Sequence, residues 1–431
     1  MKIAFIVEFP TQFEVPFYQY VNEMLKVEGK GLKAESLKLK APESKYAENS
    51  FDSLDEKKGQ VAQDFDSSSA SPDIKSGQAA FQEDVAQSGI DFHVIYNNTN
   101  QEDYHDSELG KKVGWGFNLY EGYTYFIADQ NDIVNSISMI LEKEKYDYII
   151  LNGYKNSYAG LIELCKQKNI PIALRIDAVL YNLSPLKKIL KRIYLPFAYR
   201  RFKHFFAVGS ETRKYLNWLG VANERISYFS YSVDEKWFRN QSSNQEKVSA
   251  LKEKLQVKNE RVLLSVAKFI PRESPWDILK AFKLLNDKNL VLVLVGDGEE
   301  RLDLKNYAKQ NSQLNIKFVG YIPYQELPTY YGISAIFIHA AKNEPWGVSV
   351  QEALACGCAV ITSDKVGSSK DLIVEGENGF TYPFSNIEIL ASKIKQSFQL
   401  DKVKNNHKNE LLLNKWGYTQ MWQEINTVKI S

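Results

Sequence analysis

Cysteine is scarce. Cys165, Cys356 and Cys358 are the whole set in 431 residues, which excludes a disulfide framework. With only five histidines and no Cys/His group at zinc-ligand spacing, a structural zinc site is excluded as well. Neither sign of charge is in excess. Fifty-four basic residues against 53 acidic ones leave a net charge of +1, which argues against a dedicated nucleic-acid binder. No apolar run approaches the ~20 residues needed to cross a bilayer. The first residues, Met1 to Phe9, lack the pattern of a secretory signal; a first strand in a reducing, cytoplasmic setting is the expectation. What is present is ordinary for a globular chain: 44% apolar and 25% charged residues. At roughly 100–200 residues per domain the length suggests two or three domains.

Short apolar runs alternate with longer amphipathic stretches. Strands are predicted to begin near Lys2, Asp91, Tyr146, Ile170 and His204, and in a second series near Val262, Leu290, Ile316, Ala335 and Ala359. Continuous apolar strands separated by helices are what parallel sheets covered on both faces require. Two series predict an α/β chain of two doubly wound, Rossmann-like domains. The polar stretch from Arg239 to Lys247 is the expected boundary, giving domains at 1–238 and 239–405, and an apolar-striped helix is expected at 406–431. Residues 29–88 are rich in Lys, Glu, Asp, Ser and Ala and read as a flexible or partly helical insertion.

The most informative segment is Asn343-Glu-Pro-Trp-Gly-Val-Ser-Val-Gln-Glu352, continuing to Asp364. Pro345 and Gly347 delay helix formation, so a helix is predicted from Val348 to Cys356, stopped by Gly357. Its N-terminus, from Gly347 through Val348 to Ser349, offers backbone N–H groups and the positive dipole end to an anion such as a pyrophosphate. Glu344 lies in the loop above the carboxyl end of a strand, where open α/β sheets bind ligands. Glu352 lies just over one turn into the helix. A carboxylate accepts two hydrogen bonds from a ribose diol, and Glu344 suits sugar hydroxyls. An anion cradle flanked by two diol-binding carboxylates fits a nucleotide sugar. Taken alone, two glutamates near a helix start equally serve the dipole.

Glu344 and Glu352, with seven residues between them, resemble the Glu-x7-Glu signature of family 4 retaining glycosyltransferases, which have the GT-B fold. Val366-Gly-Ser-Ser-Lys-Asp371 and the residues on to Phe380 resemble the family's downstream segment. Val295-Gly-Asp-Gly-Glu299 resembles its Gly-Asp-Gly turn, which puts Gly296 near the donor. Val319-Gly-Tyr-Ile322 resembles its nucleobase-contacting loop and assigns Tyr321 and Ile322 to the base. Tyr231 to Phe238 resembles the segment at the domain junction. The resemblance implies two domains facing across a cleft, with a C-terminal helix crossing back to the first. It also implies two cations on the donor pyrophosphate. Lys268 fits the first. At the second the family's lysine is replaced by Glu273, with Arg272 beside it, so either Arg272 supplies the charge or donor affinity is weakened. Ala267 replaces a usual glycine. As a lone residue Lys268 also reads as an ordinary surface lysine.

On the acceptor side, the loop from Val7 to Tyr18 resembles a subgroup in which Thr11 and Gln12 face the cleft; they also read as turn-forming residues before a helix. Val113 to Tyr123 resembles an aromatic loop of the same subgroup. Asn152-Gly-Tyr-Lys-Asn156 follows a strand and belongs at the crevice. Family members often carry a histidine there; Tyr154 and Asn156 stand in its place. Arg175 and Asp177 end the next strand, either lining the cleft or forming an Arg–Asp pair. Residues 185–204 hold seven Lys and Arg with no acid, interleaved with Leu186, Ile189, Leu190, Ile193, Tyr194, Leu195 and Phe197. Such a stretch either lies on an anionic membrane or packs its apolar side on the sheet.

The resemblance therefore implies a retaining glycosyltransferase. It moves a sugar from a UDP- or GDP-linked donor to a glycan, glycolipid or other hydroxyl acceptor, in the cytoplasm or at the inner face of the membrane. Glu344, Lys268 and Arg272 carry the catalytic roles, and no metal or nucleic acid is involved. A non-catalytic sugar-nucleotide-binding or scaffold subunit and a GT-B epimerase or phosphorylase stand as alternatives. A nicotinamide oxidoreductase is disfavoured, because Gly296 to Arg301 lacks the third glycine of a dinucleotide fingerprint.

Overall fold

The computed structural model describes residues 1–8, 11, 14–27, 91–97, 105–106, 111–112, 119–129, 131–400 and 402–428. Gln12, the 29–88 insertion and residues 113–118 of the aromatic loop lie outside them.

Two parallel sheets organise the chain. The first contains β1 (Lys2–Val7), β2 (Asp91–Tyr96), β3 (Tyr125–Ile127), β4 (Tyr148–Asn152), β5 (Ile172–Ile176), β6 (His204–Ala207) and β7 (Ile226–Tyr228). Its spatial order is β3-β2-β1-β4-β5-β6-β7. The second contains β8 (Arg261–Val266), β9 (Leu290–Val295), β10 (Ile316–Gly320), β11 (Ser334–His339), β12 (Ala359–Ser363) and β13 (Gly379–Tyr382), in the order β10-β9-β8-β11-β12-β13. Both sheets therefore reverse direction beside their first strand, the point where doubly wound folds open a ligand crevice. β9 is buried along its whole length, as a strand covered on both faces must be.

The ten expected strands are all present. A separate two-stranded antiparallel sheet pairs His105–Asp106 with Lys111–Lys112. Three further strands of the parallel sheets, β3, β7 and β13, are only three or four residues long. Each closes an edge of its sheet, where fewer apolar residues are needed and periodicity is weakest.

The expected boundary is helical rather than a loop. Asp234 accepts from the Trp237 amide at 2.9 Å and starts a helix over Glu235–Ser242. Asn244 accepts from Lys247 at 3.1 Å and starts another over Gln245–Lys254. Capping side chains turn this polar stretch into two helices. The C-terminal segment is likewise two helices, Lys402–Asn414 and Tyr418–Thr427, with Gly417 capping the second. Leu413 joins the core beneath the second sheet. Met421, Trp422 and Ile425 join the core of the first, where the Tyr148 hydroxyl donates to the Ile425 carbonyl at 2.9 Å. The chain thus returns to its starting sheet, as the resemblance implied.

The two halves also touch directly. The Ser210 amide donates to Asp371 at 2.9 Å. A Cβ on Gly209 would lie 2.5 Å from the Trp346 ring, so only glycine admits that ring between the halves.

Candidate functional site

β11 ends at His339 and the next helix runs over Val348–Ala355, one residue shorter than predicted. Gly347 caps it in the left-handed region, φ 91, where a side chain would be strained and would crowd Val366 at 3.0 Å. Val348 and Ser349 are half-buried at the helix start, where the first amides of a helix have no partner within it. Between strand and helix, Glu344 pairs as a β-bridge with Val366. One of its oxygens accepts from the Trp346 amide at 3.3 Å. Its carbonyl accepts from the Tyr181 hydroxyl, on the loop after β5, at 2.8 Å. Glu344 is therefore tied to both halves.

Arg272 bridges two carboxylates. Its guanidinium lies 2.9 Å from Glu273 and 3.4 Å from Glu344. Ser274 next to this pair adopts φ 49 and Pro275 opens the following helix, so the backbone bends sharply there. Burial raises the Glu344 pKa; His339 opposes the rise and Glu273 adds to it. His339 is buried, burial lowers its pKa, and neither ring nitrogen has a hydrogen-bond partner. Ligand atoms of Glu273, His339 and Glu344 lie within 4.8 Å of one another, which is the donor chemistry of a cation site. Arg272 already engages both carboxylates there, so this corner carries its own positive charge. Lys268 is half-buried, two residues beyond β8.

Glu352 is 3% exposed and one oxygen accepts from the Tyr331 hydroxyl at 2.7 Å. Burial pushes its pKa up to about 7, with Tyr331 opposing. His339 ends the strand that leads into the Glu344 loop, whereas Tyr331 belongs to no short motif shared with the glutamates. Only the packing of its helix brings Tyr331 here.

The Gly-Asp-Gly turn has a packing reason for its glycines. A Cβ on Gly296 (φ 141) would lie 1.9 Å from the Ala267 carbonyl oxygen, and one on Gly298 (φ 156) 2.5 Å from that of Phe269. The Phe269 amide donates to the Asp297 carbonyl at 2.8 Å. The turn thus holds the loop that carries Lys268. Of the two base-assigned residues, Tyr321 is exposed, whereas Ile322 is buried in the core cluster with Tyr324 and Phe238.

The acceptor-side residues divide. The Thr11 hydroxyl accepts from the Glu14 amide at 3.2 Å, capping the helix Val15–Val27. Arg175 is 1% exposed and neither lines the cleft nor pairs with Asp177. It meets Glu14 at 2.5 Å and donates to the Phe229 and Ser230 carbonyls at 2.8 Å each. A buried guanidinium needs this full set of acceptors, so its role is to hold the sheet together. Asp177 is exposed and accepts from the Tyr231 hydroxyl at 3.3 Å. Tyr154 is half-buried against Tyr199 and Phe202, and Asn156 is exposed at the start of a short 3-10 helix. Tyr154 and Asp177 line one cavity of about 730 Å³; Asn156 is not in its wall.

The helix Pro185–Tyr199 does not pack its apolar side on the sheet. It buries only Leu195, Ala198 and Tyr199. Leu186, Ile189, Leu190, Ile193, Tyr194 and Phe197 are each 57–66% exposed. Among the described residues no helix is long and apolar enough to cross a membrane.

Two doubly wound sheets meeting at the Glu344 corner define a GT-B protein. Solved structures agree. HepE of Anabaena, in complex with UDP and glucose, matches with a TM-score of 0.63 at 13% identity, covering 99% of this chain and 98% of that one. The lipopolysaccharide outer core galactosyltransferase WaaB matches at 0.61, also at 13% identity, covering 98% of each chain. The family model for glycosyl transferases group 1 matches residues 248–410, and that for glycosyltransferase family 4 matches 82–237. The chain belongs to family 4 of the glycosyltransferases. It is 29% identical over 164 residues to the mouse (Mus musculus) GDP-Man:Man(3)GlcNAc(2)-PP-Dol alpha-1,2-mannosyltransferase, 33% of each chain. It is 30% identical over 156 residues to the alpha-monoglucosyldiacylglycerol synthase of Acholeplasma laidlawii, 35% of this chain and 38% of the other. The similarity thus spans little more than a third of these curated relatives' length.

Proposed function

We propose that the protein is a retaining, hexosyl-type glycosyltransferase that moves a sugar from a UDP- or GDP-linked donor to a hydroxyl acceptor in glycan, polysaccharide or glycolipid assembly. The acceptor oxygen attacks the anomeric carbon on the leaving-group face. The bond from that carbon to the diphosphate oxygen breaks, and the acceptor proton passes to the departing phosphate oxygen. The chain's task is to stabilise the charge growing on the diphosphate. Arg272, Lys268 and the Gly347–Ser349 amides are assigned to it, with Glu344 on the sugar hydroxyls and Glu352 on the ribose. Tyr321, Ile322 and Gly296 complete the assigned donor contacts, and Thr11, Gln12, Tyr154, Asn156 and Asp177 those of the acceptor.

The observation that carries this reading is the Glu344–Arg272–Glu273 corner beside a helix N-terminus. It ties a cation, Arg272, to the loop that follows a parallel strand. We assign the neutralising role to Arg272 rather than to a metal ion.

The outward apolar face of Pro185–Tyr199, flanked by cations, supports peripheral contact with an anionic membrane on its cytoplasmic side. The names of the two relatives, one dolichol-linked and one diacylglycerol-based, point the same way.

Calorimetric titration with UDP and with GDP, each with and without EDTA, tests the donor half. Binding of one nucleotide, indifferent to EDTA, is expected. Binding that EDTA abolishes would overturn the role given to Arg272. Silence with both would move weight to a scaffold subunit, because Glu273 stands where the family carries a lysine.

A further inference from the structure

Resting on that transferase reading, we propose that the cavity beside the helix Pro185–Tyr199 holds the hydrocarbon chain of an amphiphilic acceptor, with its hydroxyl-bearing end toward Asp177.

The cavity has a volume of about 730 Å³, within the range of small-molecule sites. Gly153 and Asp177, which follow the carboxyl ends of β4 and β5, stand in its wall, where open sheets place ligands. Much of its lining is apolar and aromatic: Tyr154, Leu190, Ile193, Tyr194, Leu195 and Tyr199. Such a lining takes methylene groups without leaving polar atoms unsatisfied. The one carboxylate in the wall, Asp177, is an acceptor for a hydroxyl.

Two neighbouring features relate the cavity to its surroundings. Tyr181, four residues past Asp177, donates to the Glu344 carbonyl at 2.8 Å, so the same loop reaches the donor corner. Leu190 and Ile193 line the cavity while remaining 57% and 64% exposed, so its mouth opens onto the helix's outward apolar face. An exposed patch of six large apolar side chains is unusual on a soluble surface. Lys191 also lines the cavity; its ammonium stands 5.6 Å over the Tyr215 ring and has no ion-pair partner among the described residues. That cation suits a phosphate or a similarly anionic linker between chain and sugar. Lys155, the other cation of the wall, pairs with Glu8. The geometry therefore orders an acceptor along one line: hydroxyl at Asp177, chain along Leu190 and Ile193, remainder in the patch.

The probe is octyl β-D-glucoside titrated below its critical micelle concentration, with methyl β-D-glucoside as the chainless control. The octyl compound is expected to bind at least about tenfold more tightly, since each buried methylene adds to affinity. The variant Leu190→Ser with Ile193→Ser should lose that advantage and leave UDP binding unchanged; both residues are exposed, so folding is spared. The variant Leu186→Ser with Phe197→Ser alters the same helix outside the cavity and should bind the octyl compound as the natural chain does. Equal binding of the two glucosides would overturn the proposal. So would equal losses in the two variants, which would mean adsorption on the helix surface. A concentration-dependent dimer in sedimentation, abolished by Leu190→Ser with Ile193→Ser, would assign the face to a second copy instead. UDP titration of the same samples reads the donor site alone. A silent UDP arm with intact octyl binding thus separates failure of the transferase reading from failure of the cavity.

Discussion

The two sheets share one strand order, yet they hold their functional groups in opposite ways. On the side assigned to the donor, Glu344, Glu352, Arg272 and Glu273 are fixed by specific bonds, and two of the carboxylates are almost wholly buried. On the side assigned to the acceptor, Asp177 and Asn156 are exposed and the adjoining helix turns its apolar face outward. The difference is physical. Stabilising a departing diphosphate requires charges already in place before reaction, which buried bonds provide. An apolar acceptor chain needs uncovered surface, which specific polar bonds would spoil.

The contrast can be broken most directly at Arg272. Arg272→Ala is expected to lower turnover by about 10²–10³-fold, roughly 3–4 kcal/mol of transition-state stabilisation. Single-turnover transfer checks this, with circular dichroism to confirm the fold. A loss below threefold would remove Arg272 from the charge-stabilising role.

The acceptor side gives the next largest effect. Lys187, Lys188 and Arg192, all replaced by Gln, should weaken co-sedimentation with phosphatidylglycerol vesicles by about 100-fold, at roughly 1 kcal/mol per cation near an anionic surface. The natural chain's binding should also fall as salt rises. Retention by neutral phosphatidylcholine vesicles to the same degree would deny the electrostatic part of the contact.

Gly296→Ala tests whether the donor side is as rigid as its contacts imply. The new methyl would meet the Ala267 carbonyl at a φ that favours glycine. A destabilisation of about 2–3 kcal/mol in urea unfolding is expected. An unchanged midpoint would mean that the Lys268 loop yields easily.

The smallest effect sharpens the comparison through pH. The Glu352 carboxyl, raised to about 7, is largely protonated at pH 6 and ionised at pH 8. If its carboxylate accepts from the ribose, UDP affinity should strengthen as pH rises through 7, and Glu352→Gln should flatten that profile, binding about tenfold less tightly at pH 8 alone. For stability the sign is the reverse. A raised carboxyl destabilises the fold as pH climbs from 4.5 to 7, so Glu352→Gln should be the more stable form at pH 8, by about 1–3 kcal/mol. Calorimetry and thermal melts read the two halves. UDP affinity independent of both pH and the substitution would remove the ribose assignment.

Much of the local structure around the proposed donor site was legible in the sequence because its determinants are local. Glu344, Gly347 and Glu352 lie within one strand–loop–helix unit, and the helix start follows from Pro345 and Gly347. The reading of Gly296 needed tertiary structure: its Cβ is forbidden by Ala267, almost thirty positions away in the chain. Arg175 was misjudged for the same reason. Its partner Glu14 lies 161 residues earlier, and no spacing rule reaches that far. The short edge strands β3, β7 and β13 left too little periodicity to read.

The amino-acid order by itself therefore determined the two α/β series, the helix N-terminus beside Glu344 and the amphipathic, acid-free stretch at 185–204. Hydrophobic periodicity, capping and breaker residues act over a few positions, and a linear reading sees them. Tertiary structure alone decided that Arg272 engages both Glu273 and Glu344, that Tyr331 holds Glu352, and that the apolar side of Pro185–Tyr199 faces outward over a cavity. Those outcomes depend on which surfaces the folded sheets leave uncovered, and that is a property of packing rather than of sequence neighbourhood.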